Sequence, residues 1–141
     1  MSFAVLRIAV GLVFVCAGVF KLVDIQQFAI DVQNFRLTPW SVSVGIALYL
    51  PWLEILSGAA FASGWRVLRE GAHWTLIAMV AGFLVALGSA WARGLDIECG
   101  CFGQATATTV QSALLRAAIL GGMLIALKIR YSSLSSGFST R

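Results

Sequence analysis

Apolar residues come in four long runs, roughly Phe3 to Val23, Ser41 to Ser63, Ala72 to Ala92 and Val110 to Tyr131, and the stretches between them hold nearly all the charge. Each run is near the ~20 residues that a tilted helix needs to cross a hydrocarbon core. The pattern changes between the first two runs. There Ile25, Phe28, Ala29, Val32 and Phe35 recur at helical spacing, with Asp24, Gln27, Asp31 and Gln33 among them, which predicts a short amphipathic helix lying on the membrane surface. Thr38-Pro39 closes that helix, because the residue before a proline is pushed out of helical geometry. The expected fold is all-α, an integral membrane four-helix bundle with a short amphipathic surface helix between helices 1 and 2. Residues 1–131 are expected to form a single transmembrane domain and residues 132–141 a polar cytoplasmic tail.

Composition says why lipid must be the solvent. Of 141 residues, 60% are hydrophobic and 11% charged, where a soluble domain carries about a quarter charged residues. A mean hydropathy of +0.90 would leave a small globular fold with large apolar patches facing water. The first run, Ala4 to Phe20, is read as a retained helix. Arg7 is its only positive charge, no small-x-small cleavage site follows, and Val13-Phe14-Val15 puts a bulky residue where lipoprotein processing before Cys16 needs a small one. Trp40, Trp65, Trp74 and Trp91 fall at expected helix ends, where an indole sits among headgroups, while Trp52 lies inside a span.

Charge then sets orientation. Arg66, Arg69, Lys128, Arg130 and Arg141 gather in the second connection and the C-terminal region, whereas Asp24, Asp31, Asp96 and Glu98 offset Arg36 and Arg93 in the other two connections. The expected location is the plasma (inner) membrane, crossed several times, and the positive-inside rule predicts both termini cytoplasmic and the third connection facing outward. The net charge of +4 is spread over membrane flanks and forms no nucleic-acid surface.

That third connection holds Arg93-Gly94-Leu95-Asp96-Ile97-Glu98-Cys99-Gly100-Cys101-Phe102-Gly103. Cys99 and Cys101 are close enough to bond, yet a three-residue loop gives only roughly 1.5 kcal/mol of chain-entropy stabilisation. A strained, easily reduced pair suits redox exchange better, with Gly100 and Gly103 freeing the turn. Asp96 and Glu98 disfavour a thiolate, so activation requires a cation such as Arg93, Lys21 or Arg116. A local structural disulfide and soft-metal capture stay open as alternatives, although three cysteines and one histidine fall short of an obvious tetrahedral metal site. Cys16, expected roughly 10 Å below the outer surface, is either a small packing residue or a third exchanging thiol.

Ionisable groups within apolar spans are costly and usually face the bundle interior. Lys21, Glu54 and Arg116 are such groups, and Glu54 follows Pro51-Trp52-Leu53, which suits a polar pocket within the membrane. The plainer reading is an ion pair of Glu54 with Lys21 or Arg116 that locks the bundle. His73 reads as an interfacial residue. The glycines at 11, 18, 45, 58, 82, 88, 121 and 122 are expected to allow close helix approach.

Taken together, these residues resemble the methylamine-utilisation protein MauE family, within the wider DoxX-like group of four-helix membrane proteins. The likeness rests on Leu6-Arg7, Ala17-Gly18 with Lys21, Phe35-Arg36-Leu37-Thr38-Pro39, Leu50-Pro51-Trp52-Leu53-Glu54, Arg93-Gly94 and, most specifically, Cys99-Gly100-Cys101-Phe102-Gly103. The resemblance implies a membrane thiol-disulfide role in maturing exported, cysteine-rich proteins beside a thioredoxin-like partner. It also implies a link to a quinone, with Trp52, Glu54, Arg116 and Lys21 as its expected contacts and Cys99, Cys101 and Cys16 as the thiols. Two other functions fit the same chain: an accessory subunit of a homo- or hetero-oligomeric membrane complex, and a small-solute carrier.

Overall fold

A computed structural model describes residues 3–95 and 110–136. Its helices are α1 (Phe3–Val23), α2 (Ile25–Asn34), α3 (Trp40–Ser63), α4 (Arg66–Ala92) and α5 (Val110–Ser136). No strand occurs among the described residues. Four of these helices are long and apolar enough to cross a membrane, and the shorter α2 is the amphipathic element that follows the first of them.

The local signals that bound the helices are ordinary capping chemistry. Asp24 is the N-cap of α2 and accepts a hydrogen bond from the Gln27 N–H at 3.1 Å, which satisfies one of the orphan donors of the first turn. The helix stops at Asn34, ahead of Thr38-Pro39, because Arg36 takes a left-handed φ of 50° and donates its N–H to the Gln33 carbonyl. Pro39 then supplies the fixed φ of −65° from which α3 departs, and Gly64 at φ 82° terminates it. Two helices outrun their apolar segments: α4 starts at Arg66 instead of Ala72, and α5 continues past Tyr131 to Ser136. Hydrophobicity marks where lipid begins, whereas helix propensity decides where the helix begins, and Arg66, Leu68, Arg69 and Glu70 are good helix formers.

Packing is uneven around the bundle. Val10, Phe14, Phe61, Leu76, Val80, Leu124 and Leu127 make one buried cluster at the end where α1 begins. Phe35, Leu87, Ala90, Val110, Ala113 and Ala117 make another at the opposite end, and Phe28, Ala29 and Ala47 seat α2 against α3. The closest approach is between α1 and α3. A methyl group at Gly11 would lie 2.7 Å from the Gly58 carbonyl oxygen, one at Gly58 2.7 Å from the Gly11 oxygen, and one at Gly18 2.7 Å from the Pro51 oxygen. A methyl group at Gly121 would lie 3.3 Å from Cγ1 of Val80, a close α4–α5 contact, whereas Gly45, Gly82, Gly88 and Gly122 face open space and do not share this role. Composition alone counts small residues, but only the pairing of two helix faces shows which of them meet a backbone. Trp40, Trp52, Trp65, Trp74 and Trp91 all point outward from the bundle.

Candidate functional site

Phe14, Ala17 and Lys21 recur every three or four residues on α1, so they share one face. Glu54 and Leu50 face them from α3. The Lys21 ammonium donates to both Glu54 carboxylate oxygens, at 2.5 and 2.6 Å. It also sits 5.4 Å from the centroid of the Phe28 ring on α2, a favourable cation–π distance. Only 8% of Lys21 and 7% of Glu54 is exposed, so each charge is intelligible only through the other.

This pair is part of the wall of a cavity of about 350 Å³ that all five helices line. Phe14, Phe28, Phe35, Val80 and Phe83 supply apolar walls, and Lys21, Asp31, Thr38, Glu54 and Arg116 supply the polar atoms. Size and lining are those of a small-molecule site: mostly apolar, with a few convergent polar groups. Lys21, Glu54 and Arg116, the intramembrane charges singled out in the sequence, are thus brought together. Arg116 makes no ion pair among the described residues.

Trp52 and Cys16 are not brought to the cavity. Trp52 is two residues from Glu54, about 200° around the helix, and is 56% exposed on the outer face of α3. Cys16 stands in the same relation to Phe14 and is exposed on α1, so it is neither packed in the interior nor directed at the cavity. Cys99 and Cys101 lie outside the described residues.

Asp31 was not among the candidates from sequence, yet it lines the cavity from α2. The alternation of Phe28, Ala29 and Val32 with polar neighbours located the buried stripe, but only the seating of α2 shows that Asp31 falls at its edge. Arg93 has a positional role as well: its guanidinium donates to the Phe35 carbonyl at 2.6 Å and to the Ser89 carbonyl at 3.0 Å. That fastens the α2–α3 connection to the end of α4 and occupies one of the cations considered for thiolate activation.

Burial pushes the Asp31 carboxyl above the usual aspartate value; the Gln27 side-chain amide, donating at 3.0 Å, partly offsets this, and the Asp24 charge adds to it. A carboxyl raised in the fold contributes stability that is full below its unfolded value and is lost as pH rises through the folded value. Asp31→Asn keeps the amide contact and cannot ionise. We expect the wild-type unfolding midpoint to fall, relative to the variant, as pH climbs from about 4, and thermal melts of both proteins across that range check the sign. Parallel curves would remove Asp31 as the cause.

The family model described as methylamine utilisation protein MauE matches residues 1–129. The methylamine utilization protein MauE of Paracoccus denitrificans is 39% identical over 100 residues, which covers 69% of this chain and 52% of that protein. The chain thus matches about half the length of that relative. No solved structure matches.

Proposed function

The chain belongs to the family of methylamine utilisation protein MauE, and from that premise we propose that it is a membrane thiol-disulfide oxidoreductase, or one component of a disulfide relay, serving a methylamine-utilisation system. Its partner is an exported thioredoxin-like or cysteine-rich protein, and its reactive groups are Cys99 and Cys101. One observation carries the reading: the cysteine segment leaves the described fold at Leu95 and re-enters it at Val110, and both belong to the apolar cluster beside the charged cavity. Arg116 on α5, two turns from Val110, is a cation at the cavity wall without an acidic partner among the described residues, which suits stabilisation of a thiolate.

The exchange balances within the two proteins. A Cys99 or Cys101 thiolate attacks one sulfur of the partner's disulfide, forming a mixed disulfide and releasing one partner thiolate. The second cysteine, losing its proton, then displaces the other partner sulfur, so this chain ends oxidised and the partner holds two thiols. The reverse sequence oxidises the partner.

The cavity also fits the head of a quinone, with Lys21, Glu54 and Arg116 as its holders and Trp52 outside the set. Bound there, a quinone supplies a two-electron, two-proton acceptor. The orientation that serves this chemistry has the Arg7, Arg69 and Lys128 end in the cytoplasm and the Cys99/Cys101 connection outside, in keeping with the excess of positive charge at the former.

Cysteine trapping tests the proposal. Cys99→Ser or Cys101→Ser leaves one attacking thiol and no resolving thiol, so a covalent adduct with an exported protein should accumulate and dissolve on reduction. An accessory role, in which the segment is only structural, predicts no adduct and full activity of the complex after combined Cys99→Ala and Cys101→Ala replacement. That outcome would overturn the redox reading.

A further inference from the structure

At the end of the bundle opposite the charged cavity, where α1 and α4 begin and α3 and α5 end, a second group of ionisable residues surrounds a small cleft. Arg7, Phe61, Arg69, Glu70, His73, Leu127 and Lys128 line it, and its volume is about 20 Å³. That is room for one oxygen-sized group. Among the described lining residues, Arg7, Arg69 and Lys128 are cationic and Glu70 is acidic.

The acid is already engaged. Glu70 accepts from the Lys128 ammonium at 2.5 Å, with the two side chains 39% and 33% exposed, and the ammonium lies 5.4 Å from the Trp74 ring centroid. Arg7 donates to the Ala62 carbonyl at 3.3 Å and lies against Gly64, where a methyl group would be 2.7 Å from a guanidinium nitrogen. The buried Nε of Arg7 has no hydrogen-bond partner among the described residues. Neither has Nε2 of His73, a residue only 4% exposed. Buried polar nitrogens are normally satisfied, and these two border a cleft whose described lining holds Arg7 and Lys128 beside the single acid Glu70, a setting that suits a negatively charged acceptor.

We propose that this cleft binds the phosphate of an anionic phospholipid in the adjoining leaflet, with one phosphate oxygen at the buried nitrogens and the Arg7, Arg69 and Lys128 charges around the group. Its place at the membrane boundary is marked by Trp65 and Trp74, both exposed at this end of the bundle, as interfacial indoles are. A lipid also has acyl chains to lay on the apolar outer faces of α1, α4 and α5, whereas a free phosphate has none. The site is independent of the thiol chemistry.

The test uses the full chain in zwitterionic detergent micelles, with the rise in thermal midpoint followed as phosphatidylglycerol, phosphatidylcholine or inorganic phosphate is added. Phosphatidylglycerol should stabilise at the lowest concentration. Competition by inorganic phosphate would identify the phosphate group alone as sufficient, and its failure to compete would identify the lipid as the source; either supports the site.

Variants separate the cleft from general attraction to an anionic surface. Arg69→Gln should weaken phosphatidylglycerol binding about fivefold, and His73→Phe should weaken it as well. Glu70→Gln should strengthen it by a similar factor, a sign that a merely damaged fold does not produce. Arg130→Gln removes a charge from the same end without touching the cleft and should change little. Equal response to phosphatidylglycerol and phosphatidylcholine, or equal weakening by Arg69→Gln and Arg130→Gln, would overturn the proposal.

Discussion

Glu54→Gln is expected to destabilise the bundle by about 3–5 kcal/mol, the usual cost of leaving one member of a buried ion pair without its partner. Lys21 is 8% exposed and its ammonium donates to both Glu54 oxygens. A neutral amide returns at most one neutral hydrogen bond in place of a charge-assisted pair. Lys21→Met should cost a similar amount by stranding the carboxylate. Joint replacement, Lys21→Met with Glu54→Leu, should recover most of the loss, because an apolar pair of similar volume has no desolvation to offset. Thermal unfolding of the detergent-solubilised single and double variants measures this directly. Unchanged midpoints in the single variants would mean that the pair holds nothing together.

The double variant has a second use. If the ion pair only locks the helices, a refolded apolar pair should preserve thiol exchange with the partner protein. If the pair serves the cavity, the protein should fold and yet lose turnover with a quinone acceptor. Stability and activity therefore separate in one variant, which neither single substitution achieves.

Most of the fold was legible in the sequence because one physical signal dominates it. Twenty-residue apolar runs have few alternatives to spanning helices, and α1 and α3 begin and end within a residue of the limits their hydrophobicity sets. The amphipathic helix was legible for a similar reason, as Phe28, Ala29 and Val32 repeat at helical spacing. What could not be read was rotation. The charge of Glu54 already points it inward, but a span apolar nearly all round gave no sign that Trp52, about 200° away around the helix, turns toward lipid instead of joining the cavity. The choice of Lys21 over Arg116 as the partner of Glu54 depends on the depth at which α1 meets α3, where the backbones of Gly11 and Gly58 come into close contact. The same blindness hid Asp31, whose significance comes from the way α2 is seated across the mouth of the bundle.

That backbone contact carries the second large effect. At the α1–α3 crossing, Gly11 and Gly58 each present a carbonyl oxygen 2.7 Å from the place where the other's methyl group would stand. Neither obstruction is a flexible side chain that can swing aside, so Gly11→Ala or Gly58→Ala must move whole helices apart. Overpacking of this kind costs typically about 1–3 kcal/mol, and Gly58→Val should lie at the upper end. The combined alanine variant should cost less than the sum of the singles, because the gap opened by the first methyl accommodates the second. Gly82→Ala and Gly88→Ala meet no atom within 4 Å and should leave the unfolding midpoint unchanged or slightly raised. Gly18→Ala joins this seam to the site, since its methyl group would lie 2.7 Å from the Pro51 oxygen and 3.2 Å from Cβ of Glu54. It should therefore lower stability and, by displacing Glu54 from Lys21, weaken the cavity's hold on any ligand more than Gly11→Ala does at equal loss of stability. Melting curves with and without a short-chain quinone analogue compare the two, and an equal ligand-induced shift in both would show that the seam and the cavity are uncoupled.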